Sequence, residues 1–219
     1  MIGVAKEVVS ERFGRDKKAK EDMLRYFLRH GLTQTDAESE TVLQIVAGSD
    51  TTATAIRSTL VYLIAHPRVY CKLQAEISAA VADGRMSSPV IRAAEARELP
   101  DLQACIREGM RIFPPVAGTL EKQDVYGADA DIFRPERWLE ADEDQLKYML
   151  KTHSLIFSSR RYTCLGKPVA LMELNKIFAE LLRRFDIALA DPVSRPICSE
   201  NPGIFTQKNI FLNISKRRT

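Results

Sequence analysis

The chain is poor in the residues that commit a sequence to a special class. Its 4 cysteines among 219 residues, Cys71, Cys105, Cys164 and Cys198, form no C-x-x-C pair, and no histidine stands at zinc-ligand spacing from any of them. A disulfide scaffold and a structural zinc site are therefore not encoded, and a reducing compartment is the expectation. No apolar run approaches the ~18 residues of a membrane-crossing helix, and the 10 glycines and 10 prolines follow no repeat, which excludes a solenoid or a collagen-like rod. Neither sign of charge dominates: Lys plus Arg is 32 against 29 for Asp plus Glu, too even a balance to argue for nucleic acid as a partner. The opening Met1-Ile2-Gly3-Val4-Ala5-Lys6-Glu7 lacks the basic stretch and apolar stretch of an export signal. What is present is ordinary, and 45% hydrophobic residues suffice for a globular core.

The patterning is mainly α. The segment from Glu11 to Arg29 is amphipathic and basic, without a clear domain start. The strongest helix signal runs from Thr35 to His66, opened by a capping-box pattern in Thr35-Asp36-Ala37-Glu38 and stopped at Pro67,. A helix of that length spans about 48 Å at ~1.5 Å per residue. Its centre, Gly48-Ser49-Asp50-Thr51-Thr52-Ala53-Thr54, is unusual because a glycine, an acid and four hydroxyls stand where helix formers are expected,. Further helices are predicted over Val69–Ala82 and Leu102–Ile112, the latter ended by Pro114-Pro115,. Val116 to Leu139 reads as loop, and the acidic run Glu140 to Asp144 starts a short exposed helix,. From Pro168 to Phe185, Leu174, Ile177, Phe178, Leu181, Leu182 and Phe185 keep helical spacing,. Residues 185–189 and 209–214 alternate as short strands suited to a small hairpin or sheet,.

Cys164 closes the loop Phe157-Ser158-Ser159-Arg160-Arg161-Tyr162-Thr163-Cys164-Leu165-Gly166-Lys167, which ends on the amino terminus of that last helix. The helix terminus and three neighbouring cations, Arg160, Arg161 and Lys167, set a positive field that favours a thiolate. A lone cysteine is most often a small buried hydrophobe. A nucleophile would need a base such as His153, for which the sequence offers no positioned partner. A metal ligand without companion ligands suits an iron whose other positions are filled by a macrocycle, as in haem with an axial cysteine. Glu108 and Arg111, at i and i+3, would by themselves be surface decoration worth ~0.2–0.5 kcal/mol.

The order of these segments is distinctive. Ala47-Gly48-Ser49-Asp50-Thr51-Thr52, then Glu108-Gly109-Met110-Arg111 before Phe113-Pro114-Pro115, then Phe133-Arg134-Pro135-Glu136-Arg137-Trp138, then the Phe157 to Gly166 loop, resembles the C-terminal half of a cytochrome P450. The nearest likeness is to fungal enzymes grouped around pisatin demethylase, and it covers nearly the whole of residues 1–219, read as one partial domain of that fold. The resemblance implies a haem-thiolate monooxygenase that oxidises a small organic substrate with O2 and electrons from an NADPH-cytochrome reductase-type donor. It implies Cys164 as axial ligand, Gly48, Phe157, Arg161 and Gly166 as haem-contacting positions, Asp50 and Thr51 as a proton-delivery pair, and Glu108, Arg111 and Arg137 as a structural ion-pair cluster. It also implies a parent enzyme associated with the endoplasmic-reticulum membrane on its cytosolic face.

Three departures accompany the likeness. The family is longer, so the lead-in to its central helix is expected to be truncated here, leaving apolar surface that favours aggregation or partnering. The stretch between the Pro-Pro turn and Phe133 is short, with a join expected near residues 121–125. Finally, Arg160 stands where the family usually has glycine, and Tyr162 where it often has arginine. A turn requiring positive φ or close backbone approach resists arginine. These departures raise a second reading, a non-catalytic remnant or interaction fragment.

Overall fold

A computed structural model describes the chain except for residues 14–19, 113–122, 192, 194–197, 201–205 and 218–219. The Phe113-Pro114-Pro115 turn and the first two residues of the expected join lie outside the described residues. The chain divides into two compact units, Met1–Thr51 and Thr52–Thr219. In the first, α1 (Ile2–Ser10) and α2 (Met23–Arg29) precede α3 (Gln34–Ala65), which runs on into the second unit. Val9, Leu24 and Ala37 form a small core with Phe13 and Leu28. Asp22 caps α2 by accepting a hydrogen bond from the Arg25 amide at 3.0 Å,.

The long helix starts one residue earlier than its sequence signal. Thr33, rather than Thr35, forms the reciprocal cap: its hydroxyl accepts from the Asp36 amide at 3.3 Å, and the Asp36 carboxylate accepts from the Thr33 amide at 3.3 Å,. Glu38 instead accepts from the Gln34 side chain at 3.1 Å. The hydroxyl-rich centre stays helical, with the Ser49 and Thr51 hydroxyls donating back to the Ile45 and Ala47 carbonyls at 2.5 and 2.8 Å,.

The second unit is built on α4 (Pro67–Ala82), α5 (Ala93–Arg97), α6 (Pro100–Ile112) and α10 (Lys167–Arg184). Leu60 and Leu63 of α3, Leu73 and Ile77 of α4, Leu102 and Ile106 of α6, and Leu174, Phe178 and Leu182 of α10 share one buried cluster. Each contributes from one stripe of its helix, the arrangement expected when amphipathic faces converge. Glu76 of α4 accepts from the Asp101 and Leu102 amides at 2.9 and 3.0 Å, so a carboxylate satisfies the free donors at the start of α6,. Between α6 and α10, α7 (Gln123–Tyr126), α8 (Arg137–Glu140) and α9 (Glu143–His153) occupy part of the stretch read as loop and the acidic run. Asp142 caps α9 by accepting from the Gln145 amide at 2.8 Å. Two antiparallel pairs complete the chain: β1 (Phe185–Leu189) with β4 (Leu212–Lys216), and β2 (Cys198–Glu200) with β3 (Thr206–Lys208). The mainly helical class with a small C-terminal sheet therefore holds, and β4 lies two to three residues later than the alternation placed it.

Candidate functional site

The first element of the site is a buried charge cluster on α6. Glu108 is fully buried, and its two oxygens are crowded with donors. Oε1 accepts from Arg111 Nη2 at 2.6 Å, Arg137 Nε at 3.0 Å and the Arg134 amide at 3.0 Å. Oε2 accepts from Arg111 Nε at 3.1 Å and Trp138 Nε1 at 2.8 Å. Arg137 also reaches Asp129 Oδ1 at 2.8 Å and the Tyr126 carbonyl, while Arg111 donates to the Ala130 carbonyl at 2.5 Å. A carboxylate buried among two guanidiniums avoids the desolvation penalty only when its remaining lone pairs are filled, and here they are. The surface-decoration reading of Glu108 and Arg111 is excluded by this geometry.

Residues with no sequence-assigned role complete the cluster. Trp138 and the Arg134 amide supply two of Glu108's donors, and both lie in the Phe133–Trp138 motif that the sequence displays. Phe133 of the same motif stacks on Tyr62 of α3, with centroids 5.3 Å apart and planes 8° apart,. Gly109 lets α6 approach α3, since a Cβ there would collide with Thr59 Oγ1 and stand 2.7 Å from the Thr59 Cβ. The only sequence signal for that contact is a glycine inside an otherwise strong helix.

The second element is the loop that carries Cys164. Two 3-10 turns, Ser154–Phe157 and Arg160–Tyr162, deliver the chain to α10. Phe157 is buried and its carbonyl accepts from the Cys164 amide at 2.8 Å, folding the loop back on itself. The Lys167 amide donates to the Cys164 carbonyl at 3.3 Å, and Lys167 Nζ lies 5.3 Å from the centre of the Phe157 ring,. Ser158 and Arg160 have φ of 59° and 55°, so the position where the family usually has glycine does adopt the left-handed backbone that glycine favours. Arg161 is exposed and donates to the Tyr162 hydroxyl at 2.7 Å.

Cys164 is exposed and stands two residues before the Gly166 cap of α10, whose amino terminus has no side-chain cap. A Cβ at Gly166 would lie 3.8 Å from the Cys164 sulfur, so the glycine keeps that flank open. Leu165, its neighbour in sequence, and Val169 and Met172 of α10 are also exposed. An exposed sulfur with an open flank, on a loop and helix that carry exposed apolar side chains, fits a flat, largely apolar group ligated through one thiolate.

His153 is not a base for Cys164. It is buried at the end of α9, packs edge-on to Trp138 at 5.3 Å, and places Nε2 3.2 Å from the Arg107 carbonyl. A carbonyl only accepts, so Nε2 is the nitrogen that carries a proton in this contact,. Burial, reinforced by Arg107, pulls its pKa down to about 4,.

Gly48, Asp50 and Thr51 lie together on α3 in the first unit. Gly48 is exposed, and a Cβ added there would meet nothing within 4 Å. Asp50 is half-buried, and Thr51 is exposed with its hydroxyl held on the Ala47 carbonyl.

Comparison with known proteins decides the family. The family model described as Cytochrome P450 matches residues 3–126 and 118–213. The chain belongs to the cytochrome P450 family. It is 44% identical to "Cytochrome P450 monooxygenase ABA1" of Pyricularia oryzae and 39% identical to "Cytochrome P450 monooxygenase aba1" of Botryotinia fuckeliana, in each case over 99% of this chain and 48% of the relative. It is 34% identical to "Cytochrome P450 monooxygenase abl1" of Leptosphaeria maculans over 88% of this chain and 40% of that protein. The chain thus spans about half the length of the curated relatives it matches. The match to the Pyricularia protein covers 247 aligned positions against 219 residues here, so the two cannot align without at least 28 positions opposite gaps in this chain. The two P450 segments meet at residues 118–126, the region where the sequence suggests a join.

Proposed function

We propose that this chain is the haem-thiolate portion of a monooxygenase that oxidises a small organic substrate with O2, using electrons from an NADPH-cytochrome reductase-type donor. The observation that carries the reading is the exposed Cys164 sulfur on a folded-back loop at the head of α10, in the unit that also holds the filled Glu108, Arg111 and Arg137 cluster. Cys164 would ligate the iron, with Phe157 and Gly166 shaping the sulfur's surroundings and Arg161 a cation at the loop's exposed edge. When bound, haem with a thiolate ligand supplies the oxygen chemistry, the thiolate pushing electron density toward O–O cleavage. The chain's own polar groups supply protons. Asp50 and Thr51 are adjacent in one helical turn, and a carboxylate paired with a hydroxyl can relay a proton from water. Gly48, one turn away, leaves the helix surface free of a side chain,.

The fungal relatives and the Arg161-Tyr162 pair support placement near the pisatin demethylase-like group. Location of the parent enzyme on the cytosolic face of the endoplasmic reticulum follows from the same resemblance; no described helix is long and apolar enough to cross a membrane. The intact buried cluster gives no support to the remnant reading.

The test is reconstitution of the purified chain with haem, followed by reduction, addition of carbon monoxide and recording of the Soret band. A thiolate-type band that disappears in Cys164→Ala is the expected result. A flat titration, or a band indifferent to that substitution, refutes the assignment.

A further inference from the structure

Arg160 has no task in the reading above. It holds φ at 55°, a conformation that costs an L-residue of order 1 kcal/mol relative to glycine, and its exposed guanidinium makes no ion pair or hydrogen bond among the described residues,. Three residues on, Thr163 is exposed, and its hydroxyl donates to the Arg160 carbonyl at 2.7 Å. The Thr163 amide reaches the same carbonyl at 3.2 Å. Arg160, Arg161, Tyr162 and Thr163 therefore form an Arg-Arg-x-Thr sequence with both cations and the hydroxyl on the surface. The Arg183-Arg184 pair has Asp186 at that spacing instead of a hydroxyl residue.

We infer that Thr163 is a phosphorylation site for an arginine-directed protein kinase, and that its modification opens the turn carrying Cys164. A kinase cleft that presents carboxylates three and two residues before the acceptor pairs bidentately with two guanidiniums. The segment buries none of its residues, and a short 3-10 turn with poor hydrogen-bond geometry is readily extended into such a cleft. The transfer balances with ATP as donor. The bond from the γ-phosphorus to ADP breaks, a bond from Thr163 Oγ to phosphorus forms, and the hydroxyl proton leaves to the kinase's base.

Two consequences follow for the loop. The phosphorylated oxygen has no hydrogen to donate, so the shorter of the two bonds that close the strained turn on the Arg160 carbonyl is lost and the 3.2 Å amide bond alone remains. The modification also adds about −1.5 to −2 charges directly before Cys164, drawing on the positive field of Arg161, Lys167 and the α10 terminus. Its test needs no haem, so its failure is separable from failure of the proposed function.

The experiment incubates the purified chain with Mg-ATP and the catalytic subunit of a cAMP-dependent protein kinase, then maps phosphate by mass spectrometry. One phosphate on Thr163 is expected, retained in Thr163→Ser, absent in Thr163→Val, and incorporated at least tenfold more slowly in Arg160→Gly. Hydrogen exchange of the Thr163 and Cys164 amides is expected to be about tenfold faster in the phosphorylated chain. Absence of phosphate, phosphate elsewhere with Thr163 unmodified, or wild-type labelling of Arg160→Gly would overturn the site. Unchanged exchange in chain shown to carry the phosphate would overturn the opening of the turn.

Discussion

Gly109 on α6 and Thr59 on α3 meet so closely that no Cβ fits between them: an added methyl would overlap the Thr59 hydroxyl oxygen and stand 2.7 Å from its Cβ. Thr59 is fully buried and its hydroxyl has no partner among the described residues. The contact thus fixes the spacing of the two helices through shape alone, next to Glu108. Gly109→Ala is expected to destabilise the chain by about 3 kcal/mol, as overpacking into a rigid core does. Thr59→Gly should recover part of that loss in a double-mutant cycle read by urea unfolding. Additive effects would show that the two residues do not touch.

Replacing Glu108 by glutamine keeps the side-chain volume and removes the charge that two buried guanidiniums share. An expected loss of about 3–5 kcal/mol follows from taking away the buried carboxylate that Arg111 and Arg137 share, Arg137 keeping its ion pair with Asp129,. The same measurement on Arg134→Ala should give under about 1 kcal/mol, because Arg134 contributes to Glu108 through its backbone amide and its side chain is part-exposed,. Equal losses in the two variants would contradict the cluster's geometry.

Arg160→Gly should raise stability by about 1 kcal/mol, since glycine accepts a φ of 55° without the Cβ penalty that arginine carries,. Chemical denaturation midpoints at constant slope provide the comparison. A destabilised glycine variant would mean that the turn does not hold Arg160 in the left-handed region.

His153 makes stability depend on pH in a defined window. Its pKa is about 4 in the folded chain, depressed by burial, against an ordinary value of 6.5. Between those values the unfolded chain binds the proton and the folded chain does not, so its contribution is fully present above pH 6.5 and is lost as pH falls toward 4. The loss amounts to about 3 kcal/mol at full titration. Unfolding titrations between pH 7 and 4 should show this slope, and His153→Phe should flatten it. A slope unaltered by the substitution would assign the pH dependence to other groups.

Much of the architecture is legible in the residues themselves. The helical period from Leu174 to Phe185, the prolines at 67 and 168, and the alternation at 185–189 mark elements that local sequence can specify, because each depends on spacing and capping within a few residues. At the start of α3 the pattern pointed to Thr35, but Thr33 too is a threonine followed at three residues by an acid, and the backbone path selected Thr33. The length of the segment between Ile112 and Phe133 likewise concealed α7, since four residues show no period,.

The helical class, the order of the P450 motifs and the place of Cys164 at the head of a helix are written in the pattern of residues along the chain. That the Cys164 thiol is exposed, and what the other residues touch, came from the fold. Glu108 could have been a surface ion pair; folding buries it among Arg111, Arg137, Trp138 and the Arg134 amide, whose positions are up to 30 residues away in the chain. His153 could have been a base; packing against Trp138 makes it a neutral core residue. Burial and long-range contact arise when separate segments are brought together, and in a low-dielectric interior they decide whether a charged or titratable group is exposed, paired or silenced.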